Sequence, residues 1–351
     1  MDLLRLLTQT PSVPGREERI RAAIQKHITS AGLFDEVSID PMGSLLAVRR
    51  PRPASGTATS GAKPTKVLLM AHMDQIGFLV RHIDDQGYLR VNPAGGFDAR
   101  NLFARTVRVC TADEDIPGIM NAAGRPIHLA TEADKKKIPE VTEFFVDCGL
   151  TAEEAKRRIR IGDMIVLDGP FQEVGHSVVS QCLDNRVGCW ALIRAIENLT
   201  HHSCEIHAVW SVQEEVGMRG AGPAAFKIEP DIAVSCDTTL CCKTPGVPDE
   251  ERVSVAGEGV CLHIMDASMF SDMGLVGDFE KIAQQHGIRC QRAILARGGQ
   301  DGAAIQRSRS GVRTICLACP VKYIHTIVEM THRDDLHSYH TLLTAWLQSL
   351  S

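Results

Sequence analysis

Five side chains able to hold a metal, His72, Asp184, Glu215, Asp237 and His325, are scattered over the chain, and four of them closely follow an apolar run. The runs are residues 67–71 before His72, 206–212 before Glu214 and Glu215, 232–236 before Asp237, and 315–319 before His325. Short continuous apolar runs are the pattern of strands covered on both faces of an α/β sheet. Open α/β sheets bind ligands beyond the carboxyl ends of their strands, so the five residues are expected to converge there. Two imidazoles and three carboxylates, with no thiolate, suit a dinuclear zinc, cobalt or manganese centre better than a closed structural zinc site.

Each residue also has a plainer reading. His72 alone is a structural histidine at a strand end; in extended backbone, however, Asp74 shares its side and can hold one ring nitrogen while the other stays free for a metal. Asp184 opens the helical segment CLDNRVGCWALIRAI and alone reads as an N-cap, although its second oxygen could still bridge two cations. Glu214 and Glu215 are adjacent acids that would repel if buried together, so positive charge is expected beside them. One can coordinate while the other faces substrate as a proton carrier. Asp237 could merely bond Thr238, and His325 follows a strand expected to close at Pro320. His201, His202 and His207 have no matching acid and are read as surface or core residues.

The elements that position these groups follow from periodicity. Residues 17–29 have helical spacing, stopping near Gly32. A hairpin over residues 37–39 and 45–48 turns at Pro41 to Gly43. Residues 51–64 are rich in Pro, Gly, Ala, Ser and Thr and read as a mobile surface loop. Between about residues 78 and 163, short strand-like segments are broken by turns, the texture of a small all-β unit. Beyond it come a strand at 165–167 and helices at 186–199 and 275–286. The expected fold is an α/β domain with a mixed open sheet flanked by helices, residues 1–76 and 166–351, interrupted by a smaller β-rich domain, residues 77–165.

A chain of 351 residues with 44% hydrophobic content can bury a full core without staples. Net charge is -5, with both signs interleaved, which argues against nucleic acid or an anionic membrane as partner. The twelve cysteines lie in or beside apolar runs and read as buried reduced thiols. The amino terminus lacks a signal-peptide pattern and no run reaches the length of a membrane span, so a cytoplasmic address is expected.

The segments AHMDQIG, CLDNRVGCWAL, QEEVGMRGA, SCDTT, GGQDGAA and VKYIHTIVE, in this order over nearly the whole chain, resemble the M42 family of cocatalytic metallo-aminopeptidases, which includes tetrahedral and glutamyl aminopeptidases. The resemblance implies a zinc-peptidase-like domain with two divalent metal ions per subunit, zinc first, cobalt or manganese as alternatives. It implies that His72 and Asp237 serve one ion, Glu215 and His325 the other, and that Asp184 bridges both. It marks Glu214 as general base and Asp74 as the residue orienting His72. His72 and Asp184 are 112 residues apart, whereas M20 and M28 peptidases place the bridging Asp much closer to the first His. The intervening β-rich unit is a dimerisation domain in M42 relatives, which often assemble into dodecamers. Gln75 stands where the family usually shows Glu, Gln300 where it shows Thr, and VAGEGVC replaces the usual LGxGP.

The expected activity is removal of the N-terminal residue from short peptides by a metal-bridged water, with Glu214 as base. A glycoside hydrolase and an inactive scaffold of the same fold are the competing expectations. Adjacent acids argue against the former, since glycosidases set two carboxylates at least about 5 Å apart across the sugar. The full ligand set argues against the latter.

Overall fold

The structure is a computed structural model that describes residues 1–54 and 63–350. Residues 55–62, within the stretch read as a surface loop, lie outside the described residues. Eight strands form the main sheet, in the order Glu36–Ile39, Leu45–Arg49, Glu205–Ser211, Lys66–His72, Ile232–Leu240, Arg313–Val321, Val260–Met265, Cys290–Ile294. The four central strands are mutually parallel, and the pair Leu45–Arg49 and Val260–Met265 run antiparallel to their inner neighbours. The sheet is therefore mixed, as expected.

Alternation along the strands separates two apolar layers. Val67, Leu69 and Ala71 face the larger cluster, with Ile206, Ala208 and Trp210. Leu68, Met70 and Val209 face a smaller one, with Ala221, Ala225 and Ile305. Helices Leu183–Glu197, Met273–His286 and Arg333–Ser349 cover the first face; Trp346 of the last stacks on Phe279, ring centroids 4.7 Å apart. Ala221–Ile228 and Gly302–Gln306 cover the second. Each fully buried Leu or Ile contributes about 1.5–3 kcal/mol, so a two-sided core of this size fixes the strand register firmly.

The sequence between the two halves of this sheet forms a closed barrel, Gly77–Ile83, Leu89–Ala94, Phe144–Asp147, Asp115–Ala122, Arg105–Cys110, Met164–Leu167, with its own core around Phe78, Val109, Phe144 and Ile165. Met164–Leu167 pairs with Gly77–Ile83 and Arg105–Cys110, so the strand read at 165–167 as part of the α/β texture is a barrel strand.

Three other differences concern local signals. Helix Asp2–Gln9 is absent from the sequence reading, because eight residues are too short for a clear helical period; its Leu4 and Leu7 are fully buried. Pro320 does not close its strand: it lies inside Arg313–Val321, opposite Thr239. His207 does have an acid partner, Glu205, at 2.7 Å. His202 is buried against Arg49 and Cys204.

Candidate metal centre

All five candidate ligands meet at the carboxyl ends of the central parallel strands. His72 ends Lys66–His72, Asp237 lies within Ile232–Leu240, and Glu215 follows Glu205–Ser211. Asp184 comes from the first turn of helix Leu183–Glu197, where it and Asn185 have non-helical dihedrals. That helix packs tightly on the sheet because residue 188 is glycine: a Cβ there would stand 2.4 Å from the Cys236 carbonyl oxygen. The capping role read for Asp184 falls to Asn185, whose Oδ1 accepts the Gly188 amide at 3.0 Å. Asp184 keeps both oxygens for the centre.

The ligands form two groups sharing Asp184: His72, Asp184 and Asp237, and Asp184, Glu215 and His325. His72 Nε2 is 3.4 Å from Asp184 Oδ1 and 3.8 Å from Asp237 Oδ1. His325 Nε2 is 3.4 Å from both Asp184 Oδ2 and Glu215 Oε2. Hydrogen bonds of this kind are about 2.7–3.2 Å long. Donors about 2.0–2.1 Å from a tetrahedral ion are separated by about 3.3 Å, so this spacing fits atoms that share a cation. Glu215 Oε1 is buried without a hydrogen-bond partner, a further group that a cation would satisfy.

Electrostatics point the same way. Burial pushes the carboxyls of Glu214 and Asp237 well up, with His72 opposing, and burial likewise raises Glu215 against His325. Burial would lower the two imidazoles, yet Asp184 and its neighbours raise His72 well above its ordinary value and bring His325 up to about 12. Asp184 itself is held down, against its burial, by His325 and His72. A cluster this acidic and dry calls for positive charge.

The supporting contacts orient each ligand. His72 Nδ1 faces the Asp74 backbone carbonyl at 3.1 Å, leaving Nε2 toward the other ligands; the Asp74 carboxylate is farther, at 3.6 Å. That carboxylate instead accepts the amides of Glu214 and Glu215, at 3.1 and 3.2 Å. Glu214 Oε2 lies 3.8 Å from His72 Nε2. Tyr339 donates its hydroxyl to the Asp237 carbonyl, and Cys189 its thiol to the His72 carbonyl. Glu329, quoted only as the end of a motif in the sequence reading, is 2% exposed and takes the amides of Asp184 at 2.8 Å and His325 at 2.7 Å. Its signal was weak, because one acid in a strand ordinarily faces solvent. Asp301 of GGQDGAA accepts the Ser211 hydroxyl while its other oxygen is buried without a partner.

The departures noted in the sequence each have defined partners. Gln75 Oε1 accepts from the fully buried Arg186 at 3.3 Å. Gln300 bonds Asp266 and the Gly302 amide. In VAGEGVC, the amides of Gly257 and Gly259 both donate to buried Asp335 at 2.8 Å.

A mixed sheet whose strand ends gather two His and carboxylate groups around one shared aspartate defines the class of α/β metallohydrolases. Residues 55–342 match the family model described as M42 glutamyl aminopeptidase, and the chain belongs to that family of aminopeptidases. It is 32% identical over 356 residues to a lysyl aminopeptidase of Pyrococcus furiosus, covering 99% of this chain and 97% of the relative. It superposes on an aminopeptidase of the archaeon Desulfurococcus kamchatkensis with a TM-score of 0.91 at 30% identity, covering 99% of this chain and 94% of that one. A TET peptidase of Pyrococcus horikoshii, described as assembling into a tetrahedron or a large octahedral shell, gives a TM-score of 0.84 at 31% identity, over 99% and 98%.

Proposed function

We propose that this aminopeptidase removes the N-terminal residue of short peptides at a centre of two divalent cations, with His72 and Asp237 holding one, Glu215 and His325 the other, and Asp184 shared. The observation that carries this reading is the division of Asp184 between two imidazoles, Oδ1 toward His72 and Oδ2 toward His325, each at 3.4 Å. When bound, such cations supply Lewis acidity, polarising the scissile carbonyl and lowering the pKa of water. Zinc suits a set of nitrogen and oxygen donors, as do cobalt and manganese.

The chain's own groups do the rest. Glu214 takes a proton from the attacking water at its carboxylate and delivers it to the leaving amine. Asp74 fixes where that carboxylate stands by holding the Glu214 amide. Burial keeps bulk water from competing and strengthens every charge interaction within the centre.

The barrel, with residues 77–165 taken as a domain, is the part we assign to dimerisation, supported by the assembling TET relative. A cytoplasmic address is supported by twelve cysteines that are all free. No helix among the described residues is long and apolar enough to cross a membrane. Assay of the metal-loaded protein against aminoacyl-p-nitroanilides, a peptide library and soluble glucans tests the activity. Release of single N-terminal residues is expected; glucan cleavage without peptide cleavage contradicts it.

A further inference from the structure

Glu214 and Glu215 both depend on the residue before them. Gln213 has φ 58°, in the left-handed region that a residue with a side chain rarely adopts. Something must hold it there. The chain after Ser211 reverses sharply, with the Gly220 amide bonded to the Val212 carbonyl and the Arg219 amide to the Gln213 carbonyl, each at 3.1 Å. The amides of Glu214 and Glu215 go to Asp74. The amide of Gln213 goes to Glu17, 196 residues away in sequence, at 3.2 Å.

Glu17 precedes helix Glu18–Ser30 and is 3% exposed. Its Oε1 also accepts the Gly15 amide at 2.8 Å, so the acceptor is itself held by the segment that carries it. The side chain thus ties the N-terminal segment to the turn that carries a proton carrier and a ligand. Without this acceptor, the partly buried Gln213 amide would lose its partner, and the left-handed residue would relax toward ordinary dihedrals. Relaxation at residue 213 re-aims the two side chains that follow.

We propose that Glu17 is a positioning residue for the hydrolytic reaction, acting through its hydrogen bond to the Gln213 amide to hold the turn that presents Glu214 and Glu215. The proposal rests on the roles given to those two acids above. A shift of about 1 Å at a reacting group costs on the order of 100-fold in rate, which sets the scale of the effect. Both amides reach the same oxygen, Oε1, so a carbonyl oxygen at that place suffices and the negative charge is dispensable. A role in charge balance would require the opposite.

The test compares Glu17→Gln, Glu17→Asp, Glu17→Ala and Glu214→Gln, measuring kcat, KM and metal bound per chain at equal loading. Glu17→Gln is expected to keep kcat within about three-fold, because its carbonyl oxygen occupies the acceptor position. Glu17→Asp keeps the charge but withdraws the oxygen by one methylene. It is expected to lose roughly 10- to 100-fold in kcat at saturating metal, with KM little changed and metal held more weakly through Glu215. Glu17→Ala is expected to match it, and Asp supplies the answer if Ala does not fold. Aspartate outperforming glutamine, or all three variants keeping full kcat, overturns the proposal. Full activity in Glu214→Gln removes that residue's role instead, an outcome distinct from any pattern at Glu17.

Discussion

His325 and Asp184 are joined twice: ring to carboxylate across 3.4 Å, and backbone to backbone through Glu329, which accepts both amides. The second link matters because neither backbone is ordinary. His325 has φ 65, and Asp184 departs from helical dihedrals inside the first turn of its helix. Strand Glu329–His332, paired with Ser177–Ser180, brings the anchoring carboxylate to both.

Substituting Glu329 by Gln should weaken metal binding. The amide retains one acceptor oxygen but sets an NH2 against the other backbone N–H, so Asp184 or His325 loses its anchor. Orienting partners of this kind are worth roughly 10- to 100-fold in metal affinity, to be read by competition with a chromophoric chelator. Unchanged affinity contradicts the role.

Stripping metal should abolish peptide cleavage and lower the melting temperature, with both restored by a divalent cation. Binding at about 100 times Kd stabilises the folded chain by about 2.7 kcal/mol, enough for a clear calorimetric shift. The same additions should leave the melting temperature of Asp184→Ala nearly unmoved, since that variant lacks the shared ligand.

His340 gives a pH dependence away from the centre. Burial, then His337 and Arg194, bring its pKa from 6.5 down to about 4. Its ring meets Trp190 edge-on, with centroids 5.4 Å apart. A depressed histidine favours the neutral form, so below pH 6.5 the unfolded chain takes up a proton that the folded chain refuses until about pH 4. Stability should therefore fall as pH drops through this window. The loss is on the order of 1–3 kcal/mol, reduced from the full shift by the ring's partial exposure. Urea titrations of wild type and His340→Gln should differ in slope there; identical slopes would reject the assignment.

Thiol reagents should distinguish two groups of cysteines. Cys148, Cys242 and Cys290 are partly exposed, and the other nine are buried. In the native protein only the first group is within reach of a reagent, and burial, which pushes the Cys148 thiol up to about 11 and also raises Cys290, should make those two react slowly, while denaturation without reductant should release all twelve. Fewer than twelve would reveal a disulfide.

Much of this centre was legible in the sequence because its strands are short apolar runs that end in a ligand, as at residues 67–71 before His72 and 232–236 before Asp237. Both faces of those strands are covered, so the runs are continuous rather than alternating. The helix after Asp184 was equally plain, but its first turn was not: asparagine beside it takes the capping bond, a choice no spacing reveals. Glu17 and Glu329 were silent because each reaches a backbone amide far along the chain, Gln213 at 196 residues and Asp184 at 145, and an amide leaves no signature in composition. Pro320 misled because proline usually avoids an inner strand, whereas here it pairs within one.

The most direct test of the central claim is turnover by Glu214→Gln with bound metal counted in the same sample. The account predicts metal content equal to wild type and kcat lower by roughly 10²–10⁴, the loss of a general acid–base group. Near-wild-type turnover with metal in place would contradict it.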